Sequence, residues 1–574
     1  QEMLELTVAN TEINDDECID QAHGLVVSDA DTTMLGEGYI VLGRTSPAMA
    51  EFAATKSTIK KTPIFGKVRE AVTEPAILRR NDPRNEFGIS PFRKALEKYS
   101  KRIRSFDLND RQRTYSMLQT IHYSIPELRK RAQMDEYVFV NGIHMDHYYK
   151  ALEMDSSPGL PWKKLRKSGD VGKKFLFDFV VDNRWYSNPA GGFRMKKDLR
   201  EAVIATLVAL KTGVKPAALW VHCLKDERRP IAKVREVKTR IFTMAPVHLT
   251  LAVRALTMNF TAAFYSHHAM FYSAVGIDPA SPVWTHLFRS MKERGLKGGD
   301  GDYGQYDGTL DADLMSDAMD LITDWTFQKD NRYEVVLEDQ VINFSRFEFA
   351  RAMNILAAEF VHTTQIVFDV IHRKTQGNPS GNPLTVVLNT IVGAMYLRLA
   401  YLELGRGANV STVGANAFEK KVADSIYGDD NIISVHPSIL EWFNPSSLQI
   451  FFAKYGIEYT PADKTKDQNM KNLEDLRYLK RGFRPHWEFP DNICCPIDKD
   501  VIFELTNWIR ECPDEKEQLY IQIDTAHREA MQHGVEFYNE FRAKVNSALD
   551  SVGYAPVPDN FKAYEEDWLR QFWD

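Results

Sequence analysis

Four residues constrain this chain more than any other stretch. Tyr427-Gly428-Asp429-Asp430 stands between two short, apolar, β-rich runs, Ser425–Ile426 and Ile432–Val435. Apolar runs interrupted by Gly and Asp predict a hairpin with a tight turn. Such a turn sets two carboxylates side by side, and like charges repel unless a cation neutralises them. Gly-Asp is common in ordinary surface turns, so the tetrapeptide alone fixes no chemistry. Between buried strands, adjacent carboxylates suit a hard divalent cation, which takes carboxylate oxygens together with substrate phosphates.

A second acidic segment, Asp302-Tyr303-Gly304-Gln305-Tyr306-Asp307, lies about 120 residues upstream and reads as a strand end running into a turn. If Asp302 approaches Asp429, three carboxylates can hold two metals about 4 Å apart, the clamp used for in-line displacement at phosphorus. Nucleases and polymerases both satisfy that description. The third element is a Gly/Pro-rich loop, Gln376–Pro383, feeding an apolar helix in which Thr385 and Asn389 share a face. A polar pair there is costly unless its hydrogen bonds are met. It serves either as a satisfied cap or as a reader of a ribose 2′-hydroxyl, which both donates and accepts.

The net charge of −7 argues at first against a polyanionic partner. It is a sum over unlike parts. Residues 1–55 carry eleven acids and one base, a balance of −10, which leaves +3 for residues 56–574. Within the basic remainder, Lys163, Lys164, Arg166, Lys167, Lys173 and Lys174 form one cluster. Lys225, Arg228, Arg229, Lys233, Arg235, Lys238 and Arg240 form another. Either alone reads as a solvated face; two together point modestly to a groove for a polyanion. Five scattered cysteines without a CxxC pair predict reduced thiols and no zinc site. Gln1–Asn10 lacks a basic n-region, so no signal peptide is expected. The apolar run Leu384–Leu404 contains Thr385, Asn389, Thr390 and Arg398, which favours a buried core helix over a transmembrane segment. Helices are also predicted over Leu199–Lys211 and Phe347–Phe360.

Taken in order, these motifs resemble those of RNA-directed RNA polymerases of the picornavirus-like superfamily, most nearly the insect iflavirus or dicistrovirus type. Asp302–Asp307 resembles the first palm motif; Ser380-Gly381 with Thr385 and Asn389, the second; Tyr427–Asp430, the third. Thr460-Pro461-Ala462-Asp463-Lys464 resembles the fourth and Leu479-Lys480-Arg481 the fifth. Lys225-Asp226-Glu227 through Arg240 is similar to the fingers motif that guides incoming NTP, and Ser156–Pro161 to the loop where template enters. Glu74–Leu78 with Asn81–Arg84 resembles the fingertip region.

The resemblance implies an α+β, right-hand fold: a palm of antiparallel sheet flanked by helices, fingers, and a helical thumb. It divides the chain into an acidic extension (1–55), fingers with fingertips (56–255), palm (256–309 and 377–486), a fingers insertion (310–376) and thumb (487–574). The interval from Asp307 to Ser380 suggests added residues around Gln328–Phe344. It further implies that Asp302, Asp429 and Asp430 hold two Mg²⁺ (or Mn²⁺), with Lys464 as general acid. Lys233, Lys238 and Arg240 would face the triphosphate, and Asp307, Ser380, Thr385 and Asn389 the sugar. Ser156, Ser157, Lys163, Lys164, Lys225, Gly381, Lys480 and Arg481 would contact template and primer RNA. A small viral protein primer, other replication proteins and membrane-associated complexes in the host cytoplasm are the implied surroundings. The aromatics after Pro485 are expected to be core rather than base-stacking platforms.

Overall fold

A computed structural model describes residues 39–46, 51, 56–99, 101–181, 191–412, 414, 416–462 and 469–573. Lys464 and most of the first 55 residues lie outside them.

The predicted hairpin is present. Strands Val422–Tyr427 and Asp430–Val435 pair antiparallel, and the second pairs in turn with Lys297–Tyr303. Short strands Tyr459–Thr460 and Lys471–Asn472 add to the far edge of Lys297–Tyr303. Alternation along this sheet decides what covers it. Ile426, Ile433 and Val435 join the main core with the helix Thr385–Gly407, whereas Ile432 packs with Trp284, Leu287 and Phe288 of the helix Pro282–Arg294. The sheet is therefore covered by helices on both faces.

The Thr385–Gly407 helix is the one described helix long and apolar enough to cross a membrane, and 89% of its apolar window is buried inside the protein. Its Arg398 is wholly buried yet paired with Glu419 and Asp424, each at 2.9 Å. That pairing makes a charge tolerable in the core. The other two predicted helices appear as Lys197–Thr212, ended by left-handed Gly213, and Arg346–Val361, started by a Ser345/Glu348 capping box.

A second, five-stranded sheet runs in the order Tyr39–Arg44, Val370–Lys374, Thr364–Val367, Trp220–Leu224, Ile241–Met244. Its first strand comes from within the acidic extension of residues 1–55. Tyr39 is buried, and Tyr39–Arg44 pairs antiparallel with Val370–Lys374. Charge counting could not see it, because the strand's own pattern is apolar. Around Gln328–Phe344 the chain makes a hairpin, Arg332–Val336 with Val341–Ser345, which pairs in parallel with Gln133–Asp135.

The C-terminal helices Lys499–Asn507, Glu515–Met531, Val535–Asp550 and Phe561–Arg570 enclose a core of their own around Tyr538, Phe541 and Trp568. Each such buried side chain contributes roughly 1.5–3 kcal/mol. Trp487 and Trp573 are exceptions to the expected core placement, at 36% and 66% exposed. Ile64 and Val68 enter this same core, and strand Ile59–Lys61 pairs with Trp508–Arg510. The segment around Ile59–Val68 is thus stitched to the C-terminal helices.

Candidate active site

The hairpin turn works because Gly428 adopts φ +65°, a left-handed conformation open to glycine at little cost. Its N–H donates to Thr390 Oγ1 at 2.9 Å, which fixes the turn against the Thr385–Gly407 helix. Asp302 and Asp430 are direct cross-strand partners, which places their Cβ atoms about 4.5–5.5 Å apart. Asp429 projects from the turn beside them. Withdrawal from solvent between the cleft walls, then the charges of Asp302 and Asp307, pushes the Asp429 carboxyl up to about 6. Asp430 is pushed up to about 7, chiefly by burial and then by Asp429, Asp302 and Asp300, against a 2.9 Å hydrogen bond from Leu479 N–H.

No three His, Cys, Asp or Glu side chains among the described residues converge tightly enough to enclose a metal by themselves. Hard cations such as Mg²⁺ keep several waters and substrate oxygens, so an all-protein cage is not what they require. Oxygen-only donors brought side by side, two of them raised in pKa chiefly by burial and then by neighbouring carboxylates, fit such an ion. Asp300, which sequence reading passed over, lies on the same strand but is buried and engaged. It accepts from Arg477 N–H at 3.0 Å and from Lys471 Nζ at 3.3 Å, and so anchors the following chain to the sheet.

At the other end of the cleft, Asp307 opens the short helix Tyr306–Thr309. Burial alone would raise its carboxyl; the Lys98 ammonium at 3.2 Å and the Ser380 hydroxyl, which donates to it, hold it at about 2. Lys98 is the functional residue that sequence reading missed, since a single lysine between Glu97 and Tyr99 carries no motif. Asn389 is buried; its Oδ1 accepts from Asn378 Nδ2 at 2.9 Å, and among the described residues its own Nδ2 makes no hydrogen bond. Two donors thus remain for a ligand. Thr385 differs from the expectation: its hydroxyl donates to Asn382 O at 2.7 Å and Pro379 O at 3.1 Å, so it ties the loop at the helix start. Gly381, at φ +154°, is a packing requirement, because a Cβ there would meet Thr243 O at 1.8 Å.

Between the two ends is a cavity of about 420 Å³ lined by Lys98, Lys233, Lys238, Arg240, Asp307 and Asp429. The Arg240 guanidinium lies against Glu227 in a two-pronged pair. Glu227 also faces Lys225 at 3.6 Å and Arg229 at 3.7 Å, so one carboxylate organises three cations. Asp226 turns away, accepting from Ser57 and Thr58 just before the strand Ile59–Lys61 and from Arg510 of its partner strand.

The remaining predicted contacts lie outside this cavity. Ser156 accepts from Lys173 at 2.7 Å and Ser157 from Gly159 N–H at 3.3 Å, so both shape their loop. Lys163 and Lys164 both pair with buried Glu51, at 2.5 and 3.0 Å. Arg481 is engaged by Glu529 and Cys495 O, an internal tie where a grip on RNA is expected. Lys480 lines a separate cavity of about 710 Å³ with Arg228 and Arg510.

The sequence profile of the family described as viral RNA-dependent RNA polymerase matches residues 63–549. The genome polyprotein of rice tungro spherical virus (strain Vt6) is 30% identical over 544 residues, 93% of this chain. The replicase polyprotein of acute bee paralysis virus is 28% identical over 89% of the chain, and the genome polyprotein of deformed wing virus 27% over 89%. The chain spans 15%, 26% and 17% of these three polyproteins, respectively. Among solved structures, the Sicinivirus 3Dpol RNA dependent RNA polymerase superposes with a TM-score of 0.73 at 21% identity, covering 92% of this chain and 98% of that one.

Proposed function

Because the chain belongs to the viral RNA-dependent RNA polymerase family, we propose that it synthesises RNA from NTPs on an RNA template by two-metal nucleotidyl transfer, releasing pyrophosphate. The observation that carries this reading is one cavity holding Asp429 at one end and the Asp307–Lys98 pair at the other, with Arg240 between. In this reading the same cavity offers a metal edge, a polyphosphate cradle and a sugar-facing carboxylate.

Asp302, Asp429 and Asp430 would hold Mg²⁺ or Mn²⁺, which supplies charge neutralisation at the attacking and leaving oxygens. Arg240 draws the triphosphate with a fork suited to phosphate, once its Glu227 partner shares it; Lys233 and Lys238 add point charges. Asn389 presents its free amide donors to the ribose 2′-hydroxyl, and Asp307 accepts from the sugar while Ser380 holds it. A site built to satisfy a hydroxyl rejects the analogue lacking it, because its own buried groups are then unpaired. Lys464 is the proton donor to pyrophosphate in this reading. Lys163, Lys164, Lys225 and Lys480 neutralise RNA phosphates without reading sequence. Fingers, palm and thumb take the division given above, with the first strand moved into the fingers. A viral protein primer, other replication proteins and a membrane-associated cytoplasmic setting complete the proposal.

The test is primer extension with labelled NTP and Mg²⁺. Elongation supports the reading; retention of primer length with RNA bound would make this a scaffold, and shortening would make it a nuclease.

A further inference from the structure

Behind the sugar end lies a buried ammonium that the proposed reaction does not use. Lys374 has no exposed surface, and its Nζ donates to two backbone carbonyls, Gln376 O at 3.3 Å and Gly377 O at 2.5 Å. Burial pushes its pKa well below the usual lysine range. An amine buried without a carboxylate in contact is costly, whether it keeps its charge or gives up its proton. A plain core position would be filled more stably by an apolar side chain.

What the ammonium organises is the loop that grips Asp307 from behind. Gln376, also buried, donates through Nε2 to Gly308 O at 3.0 Å and to Lys101 O at 2.5 Å. Gly377 N–H donates to Leu310 O at 3.2 Å and Asn378 N–H to Asp307 O at 2.8 Å. Gly377 stands at φ +80°, with Asp307 O only 2.3 Å from where a Cβ would be. The donors Gln376 Nε2, Gly377 N–H and Asn378 N–H thus all reach the backbone of Asp307–Leu310 or the chain just after Lys98 and Tyr99, while the carbonyls of 376 and 377 face Lys374. The same Asn378 carries the side chain that orients Asn389.

We propose that Lys374 and Gln376 are positioning residues for sugar recognition: they clamp the backbone under Asp307 and Lys98, fixing the carboxylate and, through Asn378, the Asn389 amide in one geometry. This rests on the polymerase reading and deepens it. Neither residue touches substrate. A loosened clamp lets Asp307 and Asn389 separate, so the site no longer discriminates a hydroxyl from its absence.

The test compares Lys374→Met and Gln376→Ala with the parent chain in single-nucleotide extension, using an rNTP and the matching dNTP, alongside RNA affinity and thermal midpoint. Lys374→Met removes a costly buried amine and leaves the carbonyls of Gln376 and Gly377 without their donor, so the thermal midpoint reports whether the variant stays folded. Both variants should raise the NTP KM and lower the rNTP over dNTP preference on the order of tenfold, with RNA affinity unchanged. A purely structural role predicts that preference follows stability, so a stable variant with intact preference overturns the proposal. If Lys374→Met fails to fold, Gln376→Ala, neutral and smaller, decides alone. Asn389→Ala is the control. If it lowers the preference and the clamp variants do not, the clamp is wrong and the polymerase reading stands. If it too leaves preference unchanged, the sugar assignment fails and takes the clamp with it.

Discussion

The cleft contains two sets of aspartates in opposite electrostatic states. Asp429 and Asp430 are pushed up to about 6 and about 7, chiefly by lost solvent and then by the neighbouring carboxylates, Asp302 and Asp307 for the first and Asp429, Asp302 and Asp300 for the second. Asp307, in the same cavity as Asp429, is held at about 2 because Lys98 and Ser380 are already in contact with it. One residue type is thus used in two ways. Among the described residues neither Asp429 nor Asp430 forms a salt bridge, and only the Arg240 charge eases Asp429, so the pair is poised to take a cation. Asp307 brings its cation with it and is free to act as a fixed acceptor. In the proposed reaction, this difference would separate the metal end from the sugar end of one cavity.

The sharpest way to break this comparison is to remove charge from the hairpin. Asp429→Asn keeps shape and should lower nucleotide incorporation by at least about 10³-fold, since its role is charge stabilisation in the transition state. RNA affinity, measured by filter binding, should stay within error. Extension at near-parental rates by this variant would end the metal assignment. At the sugar end, Lys98→Met leaves Asp307 to its burial, and its pKa must rise. Incorporation should then fall by about 10–100-fold, and the pH–rate profile should gain an acidic limb that the parent lacks. A profile parallel to the parent's would mean that Ser380 alone suffices.

These contrasts also mark how far the sequence is readable. The hairpin and the Asp302 strand follow from short-range patterns, alternation and turn residues, and the structure places them as expected. The Thr385–Gly407 helix was equally legible from its polar interruptions. Lys98 was not, because its partner lies 209 residues away and nothing near Lys98 repeats. Arg481 was read as an RNA contact from its motif; its engagement by Glu529, 48 residues on, depends on how the C-terminal helices dock. Thr385 was taken for a substrate reader, yet its hydroxyl is within reach of the carbonyl three residues back, a local bond that competes at helix starts. The charge split at residue 55 found the acidity but missed Tyr39–Arg44, because net charge carries no information about pairing.

The two aspartate sets should differ in pH linkage as well. A carboxyl whose folded pKa is raised keeps its proton in the native state after the unfolded chain has lost it. Native stability therefore falls as pH rises from the ordinary 3.8 through about 6 for Asp429 and about 7 for Asp430. Asp307 has the opposite sign: its contribution is present above 3.8 and is lost as pH falls toward about 2. A divalent cation relieves only the first set. Mg²⁺ should thus raise the thermal midpoint by about 1–3 °C at pH 8 and by less at pH 5, and Asp430→Asn should remove the pH 8 increment. Equal shifts at both pH values would show that the ion binds elsewhere.

A third carboxylate extends the comparison beyond the cleft. Glu51 is buried at 4% exposure and, like Asp307, arrives already neutralised, here by Lys163 and Lys164. Its cations differ from Lys98 in being half-exposed, with side chains at 32% and 34%. They are also among the residues proposed to meet template phosphates. Glu51 and a phosphate would compete for the same two ammonium groups, which places a fixed anion where a mobile one must bind. Replacing it with the neutral isostere, Glu51→Gln, frees both lysines without removing the Glu51 N–H bond to Phe368 O. RNA affinity should rise a few-fold at moderate salt, and the log–log salt slope should steepen by about 0.7 for each lysine released. The effect is small because the two lysines keep about a third of their side chains exposed, where salt screens their charges. An unchanged slope would place Lys163 and Lys164 off the RNA path, and Glu51 would then be a tie between the first strand's connection and the loop after Pro161.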